Sequence, residues 1–83
     1  MTFKRLAMKR YFFDAVGEQR REYDYCGRHL KTAEGAFQLA ELIALDYAMQ
    51  DEDEWVGCSI NVRDAEGQKL FSVPIQSSFL VAA

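Results

Sequence analysis

The chain has 83 residues, of which 49% are hydrophobic and 28% are charged, and its formal net charge is −3. This length corresponds to one domain, and the composition excludes an intrinsically disordered or Pro-rich protein. The longest apolar run, residues 79–83, has five residues, whereas a membrane span needs about 20. We therefore expect no membrane attachment and one domain over residues 8–80, with a flexible extension at 1–7 and a frayed end at 81–83.

Charge is distributed unevenly along the chain. Residues 1–31 carry eight Lys/Arg against four Asp/Glu, whereas residues 32–83 carry two against nine. Such polarity favours self-association or an anionic partner, and the alternative interpretation is the solvated faces of an ordinary domain. No apolar stretch of signal-peptide length follows the basic start, and Cys26 and Cys58 form no closely spaced pair. We therefore expect a cytoplasmic protein with two free thiols, with a disulfide as the alternative.

The first elements in chain order are those of a β-hairpin. Residues 9–16 are rich in aromatic side chains and alternate with a period of two, so Tyr11, Phe13 and Ala15 share one face. Residues 17–19 form the turn. Residues 20–26 are predicted to return as a second strand, which Gly27 ends, but their weak alternation does not define an inward face.

A helix is predicted from residue 33 to about residue 50. Thr32 is a suitable N-cap, and Glu34 in the first turn favours the helix dipole. At about 100° per residue, the helix has one broad apolar face, which comprises Ala33, Ala36, Phe37, Ala40, Ile43, Ala44, Tyr47 and Ala48. The many alanines predict that the helix lies close to a sheet. The acidic run at residues 51–54 is predicted to be a solvated loop.

A second hairpin completes the predicted fold. Residues 55–63 alternate, and their inward side chains are predicted to be Val56, Cys58, Ile60 and Val62. Residues 64–67 form a turn in which Gly67 takes a positive φ. Residues 68 to about 80 form the fourth strand, in which Pro74 favours an edge position or an end to regular pairing nearby. The predicted fold class is α+β: a ββαββ chain that forms a four-stranded antiparallel sheet with one helix packed on one face.

Short motifs resemble those of a known family. Tyr11-Phe12-Phe13-Asp14 is followed by Asp24-x-x-Gly27, an Ala-rich helix and Val62-Arg63-Asp64-x-x-Gly67. In this order and spacing they are similar to a family of small alphaproteobacterial proteins defined only as a domain of unknown function. The resemblance covers roughly residues 8–80. It implies a small cytoplasmic bacterial domain, with no assigned activity and no catalytic residue to transfer.

No catalytic residue, metal site or cofactor is predicted. Cys26, His29 and Cys58 supply three potential zinc ligands, but a structural zinc site usually has four, and the Cys-rich spacing is absent. His29 is the single imidazole available to activate either thiol. Asp14 and Asp24 are candidates for a carboxylate pair, and we interpret them as strand-end and turn residues. We therefore predict a protein that is not an enzyme.

One candidate binding surface is the sheet face that the helix leaves open. The predicted strand phases place aromatic, leucine and arginine side chains on it, namely Arg10, Phe12, Trp55, Arg63 and Leu70. Aromatic residues and arginines on a four-stranded sheet are typical of single-stranded nucleic-acid platforms. A pI near 5.0 and the lack of an RNP-like motif argue against this function. A nucleic-acid-associated accessory protein is therefore the alternative rather than the main prediction.

The other candidate surface is the outer side of the helix. Leu42, Leu45 and Met49 lie together opposite the sheet-facing side, with Leu39 at their margin. We name this apolar line the helix ridge: it consists of Leu42, Leu45 and Met49, with Leu39 at its edge. A contiguous apolar ridge predicts a contact surface, and symmetric dimers are the commonest oligomers. The main prediction is therefore a homodimer. The alternative is that residues 1–7 fold back and cover the ridge through Phe3 and Leu6.

Overall fold

A computed structural model describes residues 8–50 and 54–76 of the chain. Within these ranges it contains five strands and one helix, which in chain order are β1 (Lys9–Val16), β2 (Arg21–Glu22), β3 (Arg28–Leu30), α1 (Ala33–Ala48), β4 (Ser59–Asp64) and β5 (Lys69–Pro74). All strand pairs are antiparallel. The α+β class and the packing of one helix on an antiparallel sheet are confirmed. The predicted extensions at 1–7 and 81–83 lie outside the described residues.

β1 is the strand around which the sheet is built. On one side it pairs with β4, from Tyr11 opposite Asp64 to Val16 opposite Ser59. On its other side it pairs with β2 near its end and with β3 near its start. β2 and β3 are thus two pieces of one sheet edge. The prediction of a continuous strand over residues 20–26 is wrong, because residues 23–27 leave the ladder.

α1 packs on the sheet through small side chains. Thr32 is its N-cap, and the Thr32 hydroxyl accepts a hydrogen bond of 2.9 Å from the Gly35 N–H. The side chains that α1 buries completely are alanines spaced four residues apart, namely Ala36, Ala40, Ala44 and Ala48. Because alanine adds little bulk, the helix backbone lies close to the sheet. The predicted alanine face is confirmed, whereas Ala33 in the first turn is exposed.

The segment before β4 differs from the prediction. Residues 54–57 form a turn, with Gly57 at φ 96°, and the strand begins at Ser59 rather than at residue 55. Val56 is 38% exposed, so its predicted inward orientation is wrong. Trp55 is buried and packs edge-on against Tyr47 of α1, with 5.2 Å between ring centroids. This turn therefore places an aromatic side chain under the end of the helix.

The β4–β5 hairpin follows the prediction closely. Gly67 has φ 89°, and the Asp64 carboxylate accepts hydrogen bonds from the N–H groups of Glu66 and Gln68, both at 2.9 Å. β5 lies at one end of the described sheet order, so the edge position that Pro74 predicts is confirmed. β5 ends at Pro74, and the predicted continuation over residues 77–80 lies outside the described residues.

The core lies between α1 and one face of the sheet. Its most buried large side chains are Ile60, Val62 and Ile75. Tyr11, Phe13, Ala15, Trp55 and Val73 complete it together with the four helix alanines. The predicted inward faces of residues 9–16 and of Ile60 and Val62 are confirmed. No helix among the described residues is long and apolar enough to cross a membrane.

Candidate functional site

A charged cluster lies on the sheet face opposite α1. Asp14 is only 4% exposed although it alternates with the core residues of β1. The Arg63 side chain of β4 donates to the Asp14 carboxylate from Nε at 2.7 Å and from Nη2 at 3.3 Å. This hydrogen bond is the main reason that the pKa of Arg63 lies above its ordinary value. A bidentate contact of this kind is both strong and directional, so it connects β1 to β4.

Asp24 organises the segment that interrupts the sheet edge, residues 23–27, which we name the Asp24 loop. Its carboxylate accepts hydrogen bonds from the N–H groups of Phe13, Cys26 and Gly27 at 3.0–3.1 Å. Its own N–H donates to the Asp14 carboxylate at 2.9 Å. The carboxylate therefore satisfies the Phe13 N–H, for which the interrupted edge supplies no main-chain partner.

Gly27 allows the Asp24 loop to lie against β1. Its φ of 76° lies in the left-handed region, which favours glycine. A Cβ at this position would lie 2.9 Å from the Tyr11 carbonyl oxygen and 3.0 Å from the Phe12 ring. The Asp24-x-x-Gly27 motif therefore has a structural explanation, since the carboxylate folds the loop and the glycine permits its close approach.

Hydrogen bonds of the two aspartates connect the Asp24 loop to β1 and β1 to β4. Asp14 and Asp24 meet, but the contact runs from the Asp24 N–H to the Asp14 carboxylate. The carboxylate oxygens of both residues accept hydrogen bonds from Arg63 or from main-chain N–H groups. Asp24 lies in a loop, as predicted, whereas Asp14 lies inside β1 opposite Asn61 rather than at a strand end.

The pH dependence of stability is expected to depend on Asp24. Burial by itself raises the pKa of Asp24, but hydrogen bonds from Gly27, Phe13 and Cys26 and the charge of Arg28 lower it overall. Because the folded pKa is the lower one, this contribution is fully present above the unfolded pKa of about 3.9 and disappears as pH falls through the folded pKa. In urea titrations, the wild-type protein should be more stable than Asp24→Asn at pH 7. That difference should shrink below about pH 4, and a difference that stays constant down to about pH 2 would contradict the assignment.

The open sheet face contains part of the predicted set. The Arg63 guanidinium lies 4.7 Å from the centroid of the Phe12 ring, and that of Arg10 lies 6.0 Å away. Leu70 is 37% exposed and is the extra residue at the β-bulge of β5, with no β4 residue opposite it. Trp55 does not belong to this face, because it lies in the core against Tyr47. Since Arg63 is tied to Asp14 and covers Phe12, the ring face that a nucleobase would stack on is occupied.

The helix ridge is exposed along the outside of α1. Leu42 is 63% exposed, Leu45 is 38% exposed and Met49 is 62% exposed. Leu39 is half-buried and packs against the core, so it forms the margin of the ridge rather than part of its crest. The structure therefore places three of the four predicted interface side chains on an accessible apolar line.

The three residues considered as zinc ligands do not form a metal-binding group in the part of the chain that the structure describes. Cys26 is exposed in the Asp24 loop and His29 is exposed on β3. Cys58 is half-buried just before β4. The sulfur of Cys58 lies so close to Gly17, which follows β1, that a Cβ added to Gly17 would collide with it. In residues 8–50 and 54–76, no group of three His, Cys, Asp or Glu side chains is placed to hold a metal ion.

Sequence reasoning missed the exposed aromatic side chains of the Asp24 loop. Tyr25 is 82% exposed and Tyr23 is 45% exposed, with 6.2 Å between their ring centroids. The Arg21 guanidinium donates a hydrogen bond of 3.2 Å to the Tyr23 hydroxyl. The weak alternation of residues 20–26 was the available signal, because a segment that lacks an inward face need not be a strand.

The fold and the charged cluster define a small α+β domain whose interrupted sheet edge is closed by an aspartate loop. Residues 10–76 match the family described as Domain of unknown function (DUF6894), and the chain belongs to this family. The match contains β1 from Arg10 onward, the Asp24 loop, α1 and the second hairpin. It confirms the resemblance to a family of unknown function. No curated protein and no solved structure matches the chain.

Proposed function

We propose that this protein is a small non-enzymatic interaction domain of the cytoplasm that self-associates as a homodimer through the helix ridge. The observation that carries the proposal is the exposure of Leu42, Leu45 and Met49, at 63%, 38% and 62%, on one line of α1. Single exposed leucines need no explanation. A contiguous apolar line with charged residues beside it is typical of a contact surface.

The packing of α1 supports this proposal. The helix buries four alanines against the sheet, and its long side chains at Leu42, Leu45 and Met49 remain outside. A chain of this length buries only about 60–65% of its unfolded surface, so a second copy would add apolar burial that one copy lacks. A groove of about 340 Å³ between α1 and β5 lies beside Leu45, and both apolar and polar side chains line it, among them Val73 and Glu41.

The polar chemistry of the chain supports a non-enzymatic role in a reducing compartment. The Asp14 and Asp24 carboxylates are engaged in hydrogen bonds that hold the sheet together. Cys26 and Cys58 are free thiols, which are typical of intracellular proteins.

The test is the mass of the protein in solution. At about 100 μM, well above a micromolar dissociation constant, light scattering after gel filtration should give twice the chain mass. The substitution Leu45→Glu should reduce this to the chain mass, because a dimer would bury an unpaired carboxylate. A wild-type monomer at this concentration would overturn the proposal.

Leu70→Glu provides the matched control. Leu70 is 37% exposed and Leu45 is 38% exposed, so both substitutions place one carboxylate at equal exposure on different surfaces. Leu70→Glu should leave the dimer intact, and circular dichroism should show that both variants are folded. A dimer that Leu70→Glu dissociates and Leu45→Glu does not would assign the contact to the β5 side of the sheet instead. If the protein is a monomer and dimerises only when residues 1–7 are removed, the result favours the alternative, in which residues 1–7 cover the helix ridge.

A further inference from the structure

The open sheet face carries most of its charge as basic side chains. Residues directly opposite each other in antiparallel strands lie on the same face, so the strand registers define which side chains this face contains. Its basic members come from all five strands, namely Arg10, Arg21, His29, Arg63 and Lys69. Asp14 is the single carboxylate at the described strand positions of this face, and it is paired with Arg63. The net charge of the open sheet face is therefore positive.

Two arginines of this face are available to a ligand. Arg10 is exposed and makes no ion pair with any residue that the structure describes. Arg21 is also exposed, and the hydrogen bond that it donates goes to the Tyr23 hydroxyl, which does not neutralise its charge. Along β1, Arg10 is about 20 Å from Val16, the residue opposite Arg21. The two guanidinium groups therefore lie at opposite ends of the face.

The middle of the open sheet face is polar rather than apolar. Asn61 lies between Asp14 of β1 and Ser72 of β5. The Ser59 and Ser72 hydroxyls donate hydrogen bonds to the Asn61 side-chain oxygen at 3.2 and 2.8 Å. Protein–protein interfaces have an apolar centre, whereas protein–nucleic acid interfaces are more polar and much more positively charged. The composition of this face therefore favours a nucleic acid over a protein partner.

The surroundings of Phe12 indicate which part of a nucleic acid is contacted. The Arg63 guanidinium lies 4.7 Å and the Arg10 guanidinium 6.0 Å from the centroid of the Phe12 ring. Because the ring is already covered by Arg63, it is not a platform for base stacking. A guanidinium group instead matches the geometry of a phosphate with two parallel N–H donors. The contacts therefore fall on phosphates.

The charge of α1 directs a polyanion towards the open sheet face. Along Ala33–Ala48 the helix has three acidic residues, Glu34, Glu41 and Asp46, and no lysine or arginine. The helix lies on the other side of the sheet, so it repels a polyanion while the open sheet face attracts it. The net charge of −3 therefore does not describe the field that a ligand meets at this face.

We propose that the open sheet face binds the phosphate backbone of a single-stranded nucleic acid and does not read its bases. A single strand fits this face because its flexible backbone can follow separate positive charges along a flat sheet. The inference does not rest on the proposed dimer, since the helix ridge and the open sheet face lie on opposite sides of the sheet.

Fluorescence anisotropy with a labelled oligothymidylate of about 15 nucleotides tests the inference. At low salt the dissociation constant should lie in the range of about 1–100 μM. The logarithm of the affinity should fall with the logarithm of the salt concentration with a slope of about −1.4 to −2, since two or three phosphate contacts contribute about 0.7 each. An oligonucleotide of the same length in which most nucleotides are abasic should bind within about threefold of the same affinity, because it keeps its phosphates.

Charge reversal on the two faces of β1 supplies the matched pair of variants. Arg10→Glu should weaken binding about fivefold or more and make the salt slope less steep by about 0.7. Lys9→Glu changes the net charge by the same amount at the next residue, which is exposed and lies opposite Leu30 on the α1 side of the sheet, so it should change the affinity by less than about twofold. Arg21→Glu should act like Arg10→Glu from the other end of the face. Circular dichroism should show that all three variants are folded.

Four results would overturn the inference. The first is the absence of salt-dependent binding at about 100 μM protein, and the second is an equal loss of affinity in Lys9→Glu and Arg10→Glu. Binding of polyglutamate as tight as that of the oligonucleotide would assign the face to an acidic protein segment instead. Loss of binding with the abasic oligonucleotide would show that bases, and not phosphates, are contacted.

Discussion

Replacing Ile60 by alanine is expected to lower the free energy of unfolding by about 2–5 kcal/mol. Ile60 is completely buried, and it lies on β4 opposite Ala15 of β1 and Val73 of β5. The side chains that the helix buries completely are alanines, which are too short to refill the space. The loss is a large share of the 5–15 kcal/mol that typically stabilises a domain.

The measurement is equilibrium unfolding in urea, with Val56→Ala as the control. Val56 is also aliphatic, but it is 38% exposed in the turn before β4, so its truncation should cost less than about 0.5 kcal/mol. If Ile60→Ala lowers the free energy of unfolding as little as Val56→Ala does, the assignment of Ile60 to the inward face of β4 is wrong.

Removal of the Asp14 carboxylate is expected to cost about 2–4 kcal/mol. Asp14→Ala leaves Arg63 without its partner on a face where the Asp14 side chain is 5% exposed, and it also leaves the Asp24 N–H unpaired. Because the Arg63 side chain is 30% exposed, water relieves part of the penalty, and the loss should be smaller than for a fully buried pair. The Asp24 loop should become less ordered at the same time.

Asp46→Ala is the control for Asp14→Ala. Asp46 is exposed near the C-terminal end of α1, where a negative charge opposes the helix dipole, so its removal should be neutral or slightly stabilising. Asp14→Asn should fall between the two variants, because an amide retains an acceptor for the Asp24 N–H and loses the ion pair with Arg63. Hydrogen exchange at the Cys26 and Gly27 amides should report the loosened loop. If Asp14→Ala lowers the free energy of unfolding by no more than Asp46→Ala does, the charged cluster does not stabilise the sheet.

Local patterns in the sequence predicted most of the secondary structure. Alternating apolar residues placed β1 at residues 9–16, which are its observed bounds, and Thr32 was recognised as the cap of α1. Gly67 and Pro74 marked the hairpin turn and the sheet edge. Such signals are readable because strand alternation, helix capping and positive φ depend on residues that are neighbours in the chain.

The errors occurred where contacts with distant residues outweigh local preference. Residues 20–26 have enough β-forming residues to predict a strand, yet the Asp24 carboxylate replaces the strand by binding the Phe13 N–H of β1. Trp55 fits the alternating pattern of the following strand, but a turn at 54–57 sends it into the core beneath Tyr47. The positions of the Asp24 and Trp55 side chains are not encoded by their neighbours in the sequence.

By itself, the sequence determined the class of fold, the apolar sides of β1, β4 and α1, and the ridge of Leu42, Leu45 and Met49, because each follows from a short period in one segment. Only the tertiary structure decided that Asp14, Asp24 and Arg63 form one cluster, since Arg63 is 49 residues from Asp14 along the chain. It also decided that Tyr23 and Tyr25 lie on an exposed loop rather than in a strand. Hydrogen bonds between a side chain and a distant backbone have no periodicity, and they become visible only when the sheet brings their partners together.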